Sequence, residues 1–319
     1  MDGALLEVRE LCVAFSGRHG TNRALDRVSF NVERGERVGL VGESGSGKSV
    51  LALAILGLIR PPGRVVSGTI VVDGLDVFAT SESELSRVRG NRVALIPQDA
   101  SLALNPLLTV AEHMREVLTR HTSLGREAVT AKSRQTLERV GLADPDRVLA
   151  ARSSELSGGM KQRVGIALAL LCDPDLLIAD DPTSAVDVTI QAQILREFKD
   201  LTDRLGVSVL FITHDLRVVA SLCSRAVVLY AGQVAEIAPP AELLTASRHP
   251  YTAALAQCLP SVEQRRTPLP VVPGAPPDVF DINGCRFHPR CPNAEPRCHE
   301  TPPPLIRNGH ELACWNPVR

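Results

Sequence analysis

The stretch GESGSGKS, Gly42 to Ser49, sits between a short apolar run, ERVGLV at 36–41, and a longer run of helical character, VLALAILGL at 50–58. Its residues, Gly42, Glu43, Ser44, Gly45, Ser46, Gly47, Lys48 and Ser49, fit the pattern GxxxxGK[ST] in the strand, loop and helix setting that gives the pattern its meaning. Glycines let the backbone curl until successive N–H groups face one anion, and the start of the helix adds its dipole. Lys48 then bridges the outer phosphates of a nucleotide, and the Ser49 hydroxyl is placed to ligate magnesium. The plain alternative is a glycine-rich turn into an ordinary helix.

A second apolar run, LLIADD from Leu176 to Asp181, ends in two acids. Asp180 is expected to anchor the same magnesium through water, and a strand-end turn aspartate is the alternative. Upstream, residues 5–41 alternate in a strand-like way (LLEVRELCVAF, VSFNV, ERVGLV), with turn chemistry at SGRHG and ERGE between them. From about Asp99 to Arg163 the spacing becomes helical (VAEHMREVL, REAVTAKSRQTLERVGL), which predicts a helical insert between strands. The runs LLIAD, VSVLFITHD and RAVVLY then return with helices between them, and this βαβ patterning implies a mostly parallel sheet.

The chain has 319 residues, which predicts one large domain of about 240 residues and an appendage. After Gln233 the composition shifts, and sixteen of the 23 prolines lie between Pro239 and Pro317. The tail is therefore expected to be loop-rich, with neither regular helix nor central strand. Lys and Arg total 35 against 36 Asp and Glu, so the net charge of -1 offers no general field for nucleic-acid backbones or anionic lipid. The opening residues, MDGALLEVRE, lack the basic and apolar regions of a secretion leader, and LALAILGLI at 51–59 is too short to span a bilayer. A cytosolic protein, held at a membrane only by a partner, is expected. Cys12, Cys172, Cys223 and Cys258 are scattered in apolar surroundings and predict inert buried thiols.

Nucleotide chemistry alone leaves many families open. The discriminating stretch is Leu156-Ser157-Gly158-Gly159-Met160-Lys161-Gln162, which resembles the LSGGQ-like signature of ATP-binding-cassette (ABC) ATPases and stands, as there, just before the acid-ended strand. The resemblance covers the first 240 residues. It implies an α/β fold: an ABC-type P-loop NTPase with a RecA-like core, an antiparallel β subdomain and a helical subdomain (about 99–163) within 1–240, followed by a Pro/Cys-rich extension at 241–319. It also implies roles. Gln98, after VALIP, matches the Q-loop and joins Ser49 and Asp180 around Mg2+. Ser184-Ala185-Val186-Asp187 matches the D-loop, with Asp187 beside the nucleotide, and His214, after VLFIT, matches the switch histidine. Phe15 is the expected adenine-stacking residue, a core aromatic being the alternative. In that family two domains sandwich two ATP molecules, each between one domain's phosphate loop and the other's signature. Ser157, Gly158 and Gly159 at a helix start suit a second anion site of that kind. A chain with one cassette must therefore pair.

Gln98-Asp99 followed by SLALNP at 101–106, and HPYT at 249–252, resemble the ATPase subunits of oligopeptide, dipeptide and nickel importers. In those, two different ATPases serve two transmembrane permeases and an extracytoplasmic solute-binding protein, at the cytoplasmic face of the membrane. HPYT on its own residues is a turn and an N-cap. Cys285, Cys291, Cys298 and Cys314 stand in GCRFHPRCPNAEPRCHE and ELACW, with five, six and fifteen residues between them. Four thiolates in a hydrophobe-poor segment suit a metal centre that supplies folding energy. The subunits this tail resembles carry a [4Fe–4S] cluster; zinc, with His288, His299 or His310 as substitutes, is the alternative. Disturbing Cys291 is expected to loosen the tail before it touches nucleotide binding. A soluble cassette protein acting on nucleic acid or ribosomes is the competing class. The sequence shows none of the long coiled coils, zinc inserts or second cassettes that such proteins carry, so this class is not expected.

The acid after Asp180 is Asp181, where the ABC family normally has Glu to polarise the attacking water. One methylene fewer withdraws the carboxylate by roughly 1.5 Å if the backbone stays put. Binding is expected to survive and hydrolysis on this chain's own loop to be slow, with the partner's site carrying most turnover. Compensation by backbone or water is the alternative.

Overall fold

The computed structural model describes residues 3–17, 20–183, 188–259, 271–275 and 284–318. In chain order its elements are β1 (Leu6–Gly17), β2 (Gly20–Val32), β3 (Arg37–Val41), α1 (Lys48–Ile55), β4 (Gly63–Val72), β5 (Leu75–Asp76), α2 (Glu82–Val88) and β6 (Val93–Ile96). Then come α3 (Ala100–Ala103), α4 (Val110–His121), α5 (Arg126–Arg139), α6 (Pro145–Ala150), α7 (Gly158–Leu170), β7 (Leu176–Asp180), α8 (Val188–Leu205), β8 (Ser208–Thr213) and α9 (Leu216–Leu222). The chain closes with β9 (Arg225–Tyr230), β10 (Gln233–Ala238), α10 (Pro240–Thr245), α11 (Pro250–Gln257), α12 (Pro296–Glu300) and β11 (Glu311–Leu312). Among the described residues no helix is long and apolar enough to cross a membrane.

The chain forms two compact units whose boundary runs through β8. The first comprises Met1–Val32, Arg37–Ala79 and Phe211–Arg319. It holds an antiparallel sheet of order β2-β1-β4-β5 and a second sheet running β11-β10-β9-β3-β8. Strand β3 pairs with β9 in parallel, and its apolar run Val38–Val41 is fully buried, as a strand covered on both faces requires. Gly39 is needed there, because a Cβ would fall 2.2 Å from Val219 Cγ1 of α9. The tail belongs to this unit. Its β11 adds to the edge of β10, pairing Glu236 with Leu312.

The prolines of the tail do not exclude helix as the composition suggests. Helices α10, α11 and α12 each carry Pro in the first turn, where the missing N–H would have had no partner and the fixed φ already suits a helix. They are short because little apolar sequence follows.

The second unit comprises Glu33–Glu36 and Thr80–Leu210. Its strands run β8-β7-β6, and β6 and β7 are parallel, with Val93 opposite Leu176 and Ile96 opposite Ala179. The helical insert is present as α3 to α7. Thr109 and Glu112 close a reciprocal capping box at the start of α4, and Val110, Met114 and Leu118 form its buried face. Helix α7 runs on to Leu170 because Val164, Ile166, Ala167 and Leu170 remain buried. Arg163 of α7 is paired with Glu197 of α8 and also donates to the Val140 carbonyl at 2.7 Å. Of the four scattered cysteines only Cys12 is buried; Cys172, Cys223 and Cys258 are half-buried, contrary to the expectation for all four.

Candidate nucleotide-binding site

The phosphate loop leaves the buried end of β3 and enters α1 in the first unit. Two of its glycines have steric reasons to be there. A Cβ on Gly42 would stand 2.1 Å from the Leu229 carbonyl oxygen, and one on Gly47, at φ 103°, would stand 2.7 Å from the Ala24 carbonyl oxygen. At these two positions the loop is thus pressed against β9 and β2 with no room for a side chain. The Lys48 ammonium donates to the Gly42 and Glu43 carbonyls, both at 2.8 Å, and to Ser46 Oγ at 3.3 Å. Its charge is therefore held inside the curl of the loop. No acidic residue lies in the first turn of α1, so nothing there opposes an anion.

Phe15 lies on β1 opposite Gly63 of β4, half-buried. A Cβ on Gly63 would fall 2.5 Å from Phe15 Cε1, so the ring rests on bare backbone on that side. A partly open aromatic face suits stacking. His214 follows β8 directly and is exposed.

The second unit carries the remaining predicted residues. Because Ile96 lies opposite Ala179, Gln98 and Asp181, each two residues further along, leave the same end of the parallel pair. Asp180 closes β7, half-buried. Asp181 sits in the left-handed region at φ 43°, which Asp tolerates better than longer side chains. Ser157 caps α7, its side chain accepting from the Met160 N–H at 3.3 Å; Ser157 and Gly158 are exposed, and the first turn has no acid. Ser184 to Asp187, the D-loop match, lies outside the described residues.

The tail contributes what spacing did not reveal. His249 caps α11, its Nδ1 accepting the Tyr251 N–H at 3.0 Å, so the turn-and-cap reading of HPYT holds. Tyr251 has a further partner: its hydroxyl accepts the Glu43 N–H at 2.9 Å. Arg290 forks the Glu43 carboxylate at 2.8 and 3.1 Å. The rings of Tyr230, Tyr251 and Phe287 pack with centroids 4.5 to 5.5 Å apart beneath these bonds. Arg286 reaches Asp26 at 3.0 Å and also binds the Ala231 carbonyl, while Gly232 of the same turn donates to the Ser46 carbonyl at 2.9 Å. The tail therefore touches the phosphate loop itself. No local pattern could have shown this, since Glu43 and Arg290 are 247 residues apart.

The four tail cysteines converge. The Cys285 N–H donates to the Cys298 carbonyl at 2.8 Å. Burial pushes the Cys285 thiol up to about 11, and nearby Cys298 and Cys291 push the same way. Burial likewise raises Cys314 to about 12, with Cys285, Cys291 and Cys298 adding to it. Burial also pushes the Cys291 thiol up, and a group of buried thiols of this kind suits a positively charged centre, which would draw their protons off. Among the described residues, however, no three His, Cys, Asp or Glu side chains close into a metal-ion site. Of the substitute histidines, His310 is engaged by Glu236 at 2.6 Å, while the His288 and His299 rings pair at 4.3 Å.

Comparison with known proteins agrees with this geometry. Residues 25–184 match the ABC transporter family, and residues 235–298 match the oligopeptide/dipeptide transporter C-terminal region. The chain is 46% identical to a probable peptide ABC transporter ATP-binding protein of Sinorhizobium fredii, over 98% of this chain and 94% of that one. It is 43% identical to the dipeptide transport ATP-binding protein DppD of Escherichia coli, over 99% of this chain and 97% of that one. Among solved structures it resembles the dimeric post-hydrolysis state of an ATP-binding cassette bound to ADP and Pi, with TM-score 0.66 and 27% identity, over 74% of this chain and 98% of that one.

Proposed function

The chain belongs to the ABC transporter family, and from that premise we propose that it is the ATP-binding and ATP-hydrolysing subunit of a peptide importer. The observation that carries the reading is a loop built for phosphate on one chain with a tail that matches the oligopeptide/dipeptide transporter family. ATP lies on the N–H groups of Gly45 to Ser49 with Lys48 on its outer phosphates and Phe15 against the base. Ser49, Gln98 and Asp180 are the residues that would hold Mg2+, and the ion would supply neutralisation of phosphate charge. Asp181 polarises the attacking water and His214 faces the γ-phosphate. Asp187 and the Ser157, Gly158 and Gly159 signature serve the composite site.

Ser157 and Gly158 of that signature are exposed and the first turn of α7 carries no acid, which supports its use by the nucleotide of a second cassette. The partner is a second ATPase subunit of a heterodimer; two permeases and, through them, a solute-binding protein complete the importer. This chain then works at the cytoplasmic face of the membrane as a peripheral subunit. Nickel or another small solute is the alternative cargo, because permease and binding protein choose it. The convergent cysteines are read as holding a [4Fe–4S] cluster, with zinc as the alternative. A role in binding nucleic acid is disfavoured by the neutral charge balance.

Lys48→Ala tests the reading. Mg-ATP binding by the chain, or turnover of the assembled transporter, is expected to be lost. Unchanged binding, ATPase and transport would overturn the assignment.

A further inference from the structure

Arg290 is buried, its side chain 4% exposed, and all five of its N–H groups have an acceptor. Nη1 donates to Glu43 at 2.8 Å and to the Tyr230 hydroxyl at 3.2 Å; Nη2 donates to Glu43 at 3.1 Å and to the Val272 carbonyl at 3.2 Å; Nε donates to the Pro273 carbonyl at 2.6 Å. Such a guanidinium cannot shift without stranding several partners. It is also tied by the chain itself to the cysteine knot, the group of four free cysteines Cys285, Cys291, Cys298 and Cys314, since Arg290 precedes Cys291 in the turn whose His288 carbonyl accepts the Cys291 N–H at 3.3 Å.

Its main partner raises a question that the nucleotide chemistry does not answer. Glu43 is the second residue of a loop that must receive a polyanion, and a carboxylate there works against that task. The Glu43 N–H is directed to Tyr251, not toward a phosphate. The Glu43 side chain is 24% exposed, so an unpaired charge at this place would be felt by an incoming phosphate. Arg290 cancels that charge and, together with Tyr251, holds the first turn of the loop from below.

We propose that Arg290 is a positioning residue for ATP binding: through Glu43 it neutralises and sets the phosphate loop, and so links the cysteine knot of the tail to nucleotide affinity. The proposal rests on the reading of Gly42 to Ser49 as the nucleotide site. Linkage makes the coupling reciprocal: if the knot sets nucleotide affinity, nucleotide must in turn order the knot.

The test is a mutant cycle on the full chain with Mg-ADP affinity as readout, Lys48→Ala being measured in parallel. Arg290→Met is expected to weaken affinity by about tenfold or more, as unpaired charge close to the phosphates would. Glu43→Gln added to Arg290→Met is expected to restore most of it, because the repulsion goes with the carboxylate. A merely structural arginine would give no such rescue. Arg290→Lys, which keeps the charge and loses the fork, is expected to fall between wild type and Arg290→Met; it also serves if the methionine variant does not fold. Hydrogen exchange over residues 284–300 is expected to slow when Mg-ADP binds the wild type and to be unchanged by it in Arg290→Met. Wild-type affinity in both Arg290 variants, absence of rescue by Glu43→Gln, or exchange in 284–300 indifferent to nucleotide in the wild type would each overturn the proposal. If Lys48→Ala also bound as wild type, the nucleotide reading would fall with it; if Lys48→Ala lost binding, only this proposal would fail.

Discussion

The carboxylate of Glu236, fully buried on β10, accepts the backbone N–H of His249 at 3.1 Å. It also accepts the Arg248 N–H at 2.7 Å and meets His310 Nε2 at 2.6 Å, so one acid on the cassette gathers three points of the tail. The His249 ring is buried among Tyr251 and Phe287. Burial pushes its pKa down to about 4, although Glu236 and a hydrogen bond to the Ala313 backbone pull the other way. The unfolded chain takes up this proton near 6.5, and the folded chain does so only near 4. More protons are then bound unfolded, so the contribution is complete above pH 6.5 and is lost as pH falls through the window. The size is about 3 kcal/mol. Denaturant midpoints at pH 7 and pH 5 for wild type and His249→Asn are expected to converge at the lower pH. A constant gap between the two proteins would show that His249 does not titrate in this window.

Glycines in the phosphate loop are expected to fail in different ways. Gly42→Ala drives a methyl onto the Leu229 carbonyl oxygen at 2.1 Å, so β9 or the loop must move, and nucleotide affinity is expected to fall at least about tenfold. Gly45 has φ 80° and open space around it, so Gly45→Ala meets only backbone strain, on the order of 1 kcal/mol of stability, and keeps more of its binding. Isothermal titration and thermal melts on both variants separate the two. Equal loss of affinity would mean that the loop's conformation, not its contact with β9, governs binding.

The cysteine knot is expected to hold about four irons per chain after anaerobic purification, with the brown colour and absorbance of a cubane cluster. Stoichiometric zinc without iron would replace this assignment with the zinc one. Serine at Cys285, Cys291, Cys298 or Cys314 is expected to release the metal, and the protein's metal content checks each in turn.

What was legible in the sequence was whatever the chain encodes contiguously. The phosphate loop is written in eight consecutive residues, so its pattern is legible before any distant partner is known. The β6 run and the β7 run up to Asp180 are short and apolar, and the register Ile96 to Ala179 brings Gln98 and Asp181 out at one end without any further signal. The tail was misread where its physics is positional. Proline looks like a helix breaker in a count, but Pro240, Pro250 and Pro296 stand in first turns, where they help. Arg290 and Tyr251 carried no signal of their contact with the phosphate loop, because that contact depends on a partner two hundred residues and more away. The only hint available was Glu43 itself, an acid in a loop that wants none.

Asp181 yields the last prediction. A carboxylate withdrawn by roughly 1.5 Å from the place where water must be polarised costs rate without costing affinity, because the loop, Lys48 and Ser49 are unchanged. Asp181→Glu in the assembled transporter is expected to raise hydrolysis at this chain's own site by one to two decades, about 1.4 to 2.8 kcal/mol of barrier, with ATP affinity nearly unchanged. The backbone at position 181 is left-handed, φ 43°, which suits Glu less well than Asp, so a modest fall in thermal midpoint should accompany the gain. Total turnover rises less than the local rate if the partner's site already limits the cycle. The decisive measurement is therefore single-turnover hydrolysis with the partner's own catalytic acid disabled, so that only the site carrying position 181 reacts. Equal rates for Asp and Glu in that experiment would mean the backbone or a water already makes up the missing length, and the asymmetric reading would have to be abandoned.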